Sequence, residues 1–224
     1  MEKDFINDLY DIVTEKLMKL APEDKTNDAY ASMKYPRFLP MMRFQTKAFT
    51  VKGFGHVMLM RTNAMNGMMK LLTISFTPNE GLNVPYLLID CMGMKNKKLA
   101  YVEYYDCTGK ALRFEKLLKI KEKYDKLPNY EEKPAWYIAE RMEESLIKGG
   151  KGTEAAMLSE MVNDSIEEYF NLAQKAEADS ENRNGLMNMQ RRLLEEGNPS
   201  SGTMTKVLGK AGYIDFFKNY VMPV

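Results

Sequence analysis

One carboxylate stands out in this chain. In "VPYLLIDCMGM", residues 84–94, an apolar run from Val84 to Ile89 leads straight into Asp90. A buried unpaired charge is costly, so such a group takes up a proton or finds a partner. Asp90 therefore faces water, has a partner, or has chemistry to perform. Side chains alternate along a strand. Asp90 then shares a face with Tyr86, Leu88 and Met92, while Leu87, Ile89 and Cys91 point the other way. Both faces are apolar, as in a sheet covered by helices on both sides. A half-buried acid of this kind has a raised pKa and holds a proton near neutral pH, which suits a general acid. The alternative is a structural aspartate bonded to a neighbouring backbone group or an arginine.

Other polar side chains fall on strand-like segments nearby. In "HVMLMRT" (56–62) Arg61 shares a face with Val57 and Leu59. In "MKLLTISF" (69–76) Thr73 and Ser75 lie with Leu71, and in "LAYVEYYD" (99–106) Tyr101, Glu103 and Tyr105 share a face. Arg61, Thr73, Asp90 and Glu103 line one pocket if the registers bring these faces together. The 19 methionines suit either an irregular core or an adaptable apolar pocket, because the thioether chain is flexible and polarizable.

The chain excludes much else. It has one histidine, His56, which speaks against histidine-rich metal sites and a Ser-His-Asp triad. It has no GxGxxG and no GxxxxGK[ST] nucleotide motif. "GGKG" at 149–152 lies between two helical patterns and reads as a loop. Two cysteines, Cys91 and Cys107, form neither a disulfide framework nor a four-ligand zinc site. A net charge of +1 argues against a dedicated nucleic-acid binder. No apolar run approaches the ~20 residues that span a bilayer. The acidic, amphipathic start "MEKDFINDLYDIV" does not read as a signal peptide. The expectation is one domain over 1–224, in the cytoplasm, with reduced thiols.

Those functional side chains need elements to hold them. Residues 3–20 carry Phe5, Ile6, Leu9, Ile12, Val13, Leu17 and Leu20 at helical spacing. Five strand-like segments then run from Phe44 to Asp106 with short links, which reads as an antiparallel meander. "KNKK" at 95–98 is a charged hairpin turn. From Asp106 onward the texture is helical. Segments 110–127, 133–149, 153–178, 181–197 and 202–222 all read as helices. A contiguous sheet between helical ends makes an α+β protein and not a βαβ fold.

The ordered set of these segments resembles the ferredoxin-dependent bilin reductases. That family has a strand ending in proline, a short loop, a second proline, and an apolar strand with an aspartate five residues later. "TISFTPNEGLNVPYLLID" supplies Pro78, Pro85 and Asp90 at that spacing. "KPAWYIAERMEESLIKG" resembles the family's tryptophan segment through Trp136, and "MQRRLLEEGNPSSGTMTKVLGKAGYIDFFKNYVM" its C-terminal helices. The resemblance spans most of Phe44 to Met222. It implies a three-layer α/β/α sandwich with a central antiparallel sheet flanked by helices. It also implies a bilin pocket between that sheet and the C-terminal helices.

The implied chemistry is reduction of a bound linear tetrapyrrole such as biliverdin by single electrons from ferredoxin, with Asp90 as proton donor and no bound metal or flavin. Thr73, Arg61, Glu103 and Arg141 are the candidate substrate-binding residues. Arg61, Arg141, Arg191 and Arg192 are candidates for the ligand's propionates, because arginine pairs with carboxylates through two hydrogen bonds. The lysines of "KLLKIKEKYDK" are candidates for docking an acidic electron carrier. The pocket is expected to be closed by helices from Thr153 onward, walled by methionine and aromatic residues. Three departures stand out. Thr73 occupies a position where some members have histidine, and Arg61 one where some have glutamate. "GNPSSGTMTK" lacks the second acid common in the loop before the last helix, although Glu195 and Glu196 precede it. Three functions stay open at this stage: a bilin reductase, a non-catalytic tetrapyrrole-binding protein, and an interaction protein that keeps only the fold.

Overall fold

The computed structural model describes residues 4–36, 38–178 and 183–224. Lys3, Glu181 and Asn182, which begin segments read above as helices, lie outside them. The meander is present as β3 (Met42–Val51), β4 (Gly55–Ala64), β5 (Met69–Pro78), β6 (Tyr86–Met94) and β7 (Lys97–Tyr105). Short strands β1 (Glu23–Asp24) and β2 (Ser32–Tyr35) both pair with β3, and β8 (Leu146–Gly150) pairs with β7. Every pairing among these eight strands is antiparallel.

Helices cover both faces. On one lie α1 (Phe5–Met18), α3 (Glu115–Lys123) and α4 (Ala155–Ala173). Asp4 caps α1, its Oδ1 accepting from the backbone N–H groups of Ile6 and Asn7. The helix then turns Phe5, Ile6, Leu9, Val13 and Leu17 inward. These pack with Leu72, Ile74, Leu87 and Ile89 of the sheet, and with Leu158, Met161, Ile166 and Tyr169 of α4. On the other face lie α2 (Asp28–Ala31), α5 (Arg183–Glu195), α6 (Ser201–Phe216) and a π-helical turn, Phe217–Val221. Leu186, Met189 and Leu193 give α5 its apolar stripe over Phe44, Met58, Met60 and Tyr86. This is the three-layer arrangement, with an apolar core on each side of the sheet.

Two of the expected elements are corrected. Segment 133–149 is not a helix: it forms a 3₁₀ turn, Trp136–Glu140, and then β8. The "GGKG" stretch is not wholly a loop, because Gly149 and Gly150 end β8 and pair with Leu99 and Lys98. The backbone groups along the outer side of β7 need partners, and residues 146–150 supply them. Lys148 on this strand is buried, with its ammonium donating to the Asn129 side chain (2.7 Å) and the Leu127 carbonyl (3.1 Å). The helix expected to start at Thr153 is present as α4, but it covers the face opposite to the C-terminal helices.

A glycine makes α5 fit. Gly185 approaches so close that a Cβ there would sit 1.5 Å from the Cys107 carbonyl oxygen. Any side chain would push the helix off the loop that follows β7.

Candidate functional site

Alternation along four strands sends Met58, Met60, Thr73, Leu88, Asp90 and Glu103 to one face, where they floor a cavity under the C-terminal helices. Leu193, Met204, Tyr213, Phe216, Phe217 and Val221 roof it. Tyr86, Tyr105 and Tyr137 also line it. The free volume is about 50 Å³, room for a few waters. Drug-sized ligands typically occupy pockets of about 300–1,000 Å³. A larger ligand therefore enters only if the roof moves.

The register decides which polar groups meet. Thr73 stands directly across from Asp90, and its hydroxyl donates to Asp90 Oδ1 at 2.5 Å. Burial holds the Asp90 carboxyl above the usual carboxylate range, and the Thr73 bond offsets only part of that rise. On the next strand Leu88 faces Glu103 and Asp90 faces Tyr101, so the two acids are diagonal neighbours on one face.

Glu103 is 3% exposed. Burial pushes its carboxyl up to about 7, against the pull of Arg141; the Asp90 charge pushes the same way and the Tyr105 hydrogen bond opposes it. Arg141 reaches Glu103 because its backbone bridges Tyr105 and the next residue, Met142, donates to the Tyr104 carbonyl. Its Nε donates to Glu103 Oε1 at 2.5 Å. Its two Nη groups grip both oxygens of Glu132. The Tyr105 hydroxyl donates to the same Glu103 oxygen at 2.9 Å.

Thr73, Asp90 and Glu103 are thus brought together, and Arg141 stands immediately behind Glu103. Arg61 is not among them. It lies on the opposite face of β4, where its guanidinium stacks 4.5 Å from the Tyr10 ring of α1 and donates to Gln45. It shares that face with Val57 and Leu59, which belong to the core under α1, so the condition for a common pocket holds for Thr73, Asp90 and Glu103 and not for Arg61. Arg191 and Arg192 are also engaged elsewhere. Arg191 pairs with Glu195, while Arg192 pairs with Glu140 and Glu196 and stacks 4.2 Å from the Trp136 ring. Arg141 has its donors on Glu132 and Glu103, so it holds an acid in place and presents no free fork to a propionate. Tyr105 and Glu132 escaped the sequence reading as site residues. Tyr105 carried a signal, since it shares Glu103's face two positions on. Glu132 sits in a proline-bounded loop with no periodicity to read.

The roof is tied down through backbone carbonyls. The π turn leaves carbonyls without regular helical partners, and side chains from the sheet and α5 take them. His56 Nε2 donates to the Tyr220 carbonyl at 2.8 Å. The Ser75 hydroxyl donates to that of Val221, and Gln190 Nε2 to that of Met222 at 2.6 Å. Burial depresses the His56 pKa, keeping the imidazole neutral at physiological pH. Gly209, in the left-handed region with φ of 73°, breaks α6 in its middle.

A larger open groove of about 790 Å³ lies on the other face, between α1, α4 and the two hairpins. Its Lys70 pairs with Asp4, and its Lys98 donates to the Met94 carbonyl. Its described lining residues include no pair of buried acids, so the cavity over Asp90 is the better candidate. Among the described residues no group of three or more His, Cys, Asp or Glu is arranged to hold a metal ion. Among the same residues no helix is long and apolar enough to cross a membrane.

The sequence matches no family profile, and no curated protein matches it. Its structure is similar to that of selenomethionine phytochromobilin synthase from tomato, solved in complex with biliverdin, with a TM-score of 0.77. The match covers 96% of this chain and 82% of that one, at 13% sequence identity. The fold is bilin reductase-like. At this identity the likeness is one of architecture, so what the cavity of this bilin reductase-like fold does must be argued from its own residues.

Proposed function

We propose that this chain binds a linear tetrapyrrole over Asp90 and reduces it with single electrons from a ferredoxin, Asp90 supplying a proton. The observation that carries the reading is Asp90 itself. It is an acid on the cavity floor with a raised pKa, held through Oδ1 by Thr73, with no donor to Oδ2 among the described residues. The similar tomato enzyme has biliverdin bound. A conjugated tetrapyrrole that gains one electron becomes more basic, and a neutral carboxylic acid beside it can then give up its proton. Methionine and aromatic side chains suit such a ligand, because they are apolar and adapt to its shape.

The electron source in this reading is an acidic carrier, and no resident metal or flavin takes part. Of the lysines in "KLLKIKEKYDK", Lys116, Lys119, Lys121 and Lys123 are on α3 and Lys126 is in the turn after it, and α3 lies on the far side of the sheet from the cavity. Lys116 pairs with Glu168, and Lys123 with Glu160 and Asp164 of α4. The docking face is therefore better sought near the mouth of the cavity than on α3. The activity belongs in a reducing compartment, the cytoplasm, where the free buried cysteines Cys91 and Cys107 stay thiols.

The test is a biliverdin titration followed by visible absorbance, then anaerobic addition of reduced ferredoxin. A reductase shifts the spectrum on binding and bleaches or moves it on reduction. A shift with no reduction makes the chain a non-catalytic tetrapyrrole-binding protein. The absence of any shift leaves only the fold in common with bilin reductases. The missing second acid in "GNPSSGTMTK" favours the non-catalytic alternative unless another residue supplies the second proton.

A further inference from the structure

We propose that Glu103 is the second proton-donating acid of this cavity, with Arg141 and Tyr105 as positioning residues. The proposal rests on the bilin reductase reading above and names a residue that the sequence resemblance does not supply. Three features of the geometry support it. First, Asp90 and Glu103 are diagonal neighbours on the cavity floor, so one ligand over the sheet touches both. Second, the donors on Glu103, which are Arg141 Nε and Nη2 and the Tyr105 hydroxyl, all meet Oε1. Among the described residues Oε2 has no donor, and neither has Oδ2 of Asp90. Each acid is anchored by one oxygen and keeps the other for a proton.

Third, the charges do not balance if every acid is ionised. Arg141 faces both Glu103 and Glu132, and its forked grip on both oxygens of Glu132 already neutralises it. Glu103 has only a share of that one guanidinium, and Asp90 has no cation among the described residues. Like charges this close disfavour joint ionisation, so the pair retains protons. Tyr101 and Tyr105 of β7 and Tyr137 of the 3₁₀ turn also face this cluster, and all three have raised pKa values, so none of them supplies a charge near neutral pH.

The step balances as follows. One bilin double bond takes two electrons from two reduced ferredoxins and two protons, one from Asp90 Oδ2 and one from Glu103 Oε2. A π bond is lost, two bonds to hydrogen form, and two oxidised ferredoxins leave. Both carboxylates are then recharged from solvent when the roof opens for product release.

The experiment compares wild type, Glu103→Gln, Glu103→Asp and Asp90→Asn in single turnover with biliverdin and reduced ferredoxin. Melting temperature and biliverdin affinity are measured on the same preparations. Glu103→Gln is expected to bind biliverdin, accept the first electron, and accumulate the half-reduced radical, seen by electron paramagnetic resonance. Its second step should slow by about 10²–10⁴-fold. Glu103→Asp, which keeps an acid, should recover part of that rate, and the pH profile of the second step should lose one limb only in the glutamine variant. Wild-type progress through both steps in Glu103→Gln overturns the proposal while leaving the reductase reading intact. So does a variant that only melts earlier or binds more weakly, with the second step unchanged per bound ligand. If wild type itself shows no bilin-dependent absorbance change, the functional reading falls and this proposal falls with it. If Glu103→Gln does not fold, Glu103→Asp decides: unchanged rate and pH profile with its carboxyl drawn back by one methylene would overturn the role.

Discussion

At the scale of single residues, the acids on the cavity floor differ in what they do for stability and for chemistry. Asp90→Asn keeps the shape and the hydrogen-bonding capacity of the side chain but removes its transferable proton. We expect biliverdin affinity to hold within a few-fold and turnover to fall by about 10²–10⁴-fold. Wild-type turnover with binding intact would remove Asp90 from the chemistry. Glu103 makes a separate thermodynamic prediction. Its native carboxyl titrates near 7 against an ordinary 4.5, so the folded chain holds this proton more tightly than the unfolded one. Between those pH values the native state binds more protons, and the contribution of Glu103 to stability decreases as pH rises. The loss is on the order of 3–4 kcal/mol and is complete above the native pKa. Glu103→Gln should flatten this part of the pH–stability curve, as chemical denaturation at pH 5 and pH 8 would reveal. An unchanged slope would mean that Glu103 is ionised throughout. The faces of Asp90, Thr73 and Glu103 were legible in the sequence because alternation is a local rule. Their meeting was not, because register is set between strands.

At the scale of elements, the C-terminal segment decides access. Phe216, Phe217 and Val221 fill the space over Asp90, and three side-chain donors hold the carbonyls of Tyr220, Val221 and Met222. Leaving a buried carbonyl without its donor costs about 1–3 kcal/mol. Gln190→Ala should therefore loosen the roof. We expect faster hydrogen exchange over 213–222 and a higher association rate for biliverdin, measured by stopped flow. Unchanged exchange in this segment would show that the carbonyl bonds are not what holds it. A second element-scale prediction concerns the strand that carries Asp90. The hydroxyl of Tyr169, a fully buried side chain of α4, donates to the Pro85 carbonyl at 2.6 Å, just before β6 begins. Tyr169→Phe should cost about 1–3 kcal/mol in a denaturant melt. The effect should appear as stability, with bilin affinity per folded molecule unchanged.

At the scale of the whole molecule, two cores on opposite sides of one sheet divide the labour. The α1–α3–α4 side is closely packed, and its aromatic cluster of Phe54, Phe76, Tyr169 and Phe170 has ring centroids 5.5–6.5 Å apart. The α5–α6 side is richer in methionine and encloses the acids. A ligand that binds only the native state stabilises it by mass action, by about 2.7 kcal/mol at a hundredfold excess over Kd. For a chain of this size we expect biliverdin at that excess to raise Tm by about 5–10 °C. Asp90→Asn should show the same rise, since the aspartate is assigned to proton transfer and not to binding. A rise in wild type that disappears in the variant would recast Asp90 as a binding residue.

Local rules determined a good part of this protein from its sequence alone. Period-2 alternation over Phe44–Asp106 produced the meander and the face of each polar side chain. Helical spacing in 3–20, 153–178 and 202–222 produced the outer layers, because amphipathic stripes record burial residue by residue. The spacing of Pro78, Pro85 and Asp90 pointed to the bilin reductase-like fold. Tertiary structure decided what local pattern cannot hold. Segment 133–149 became a turn and a strand because β7 needed partners for its backbone. Arg61 fell on the α1 side although its alternation was read correctly, since a strand pattern says which residues share a face and not which layer that face meets. Glu132, Arg141, Tyr105 and Glu103 converge from separate stretches of chain. The pKa of Glu103 and the closure of the roof arise from that convergence, because desolvation and charge coupling depend on distances in space and not on separation along the chain.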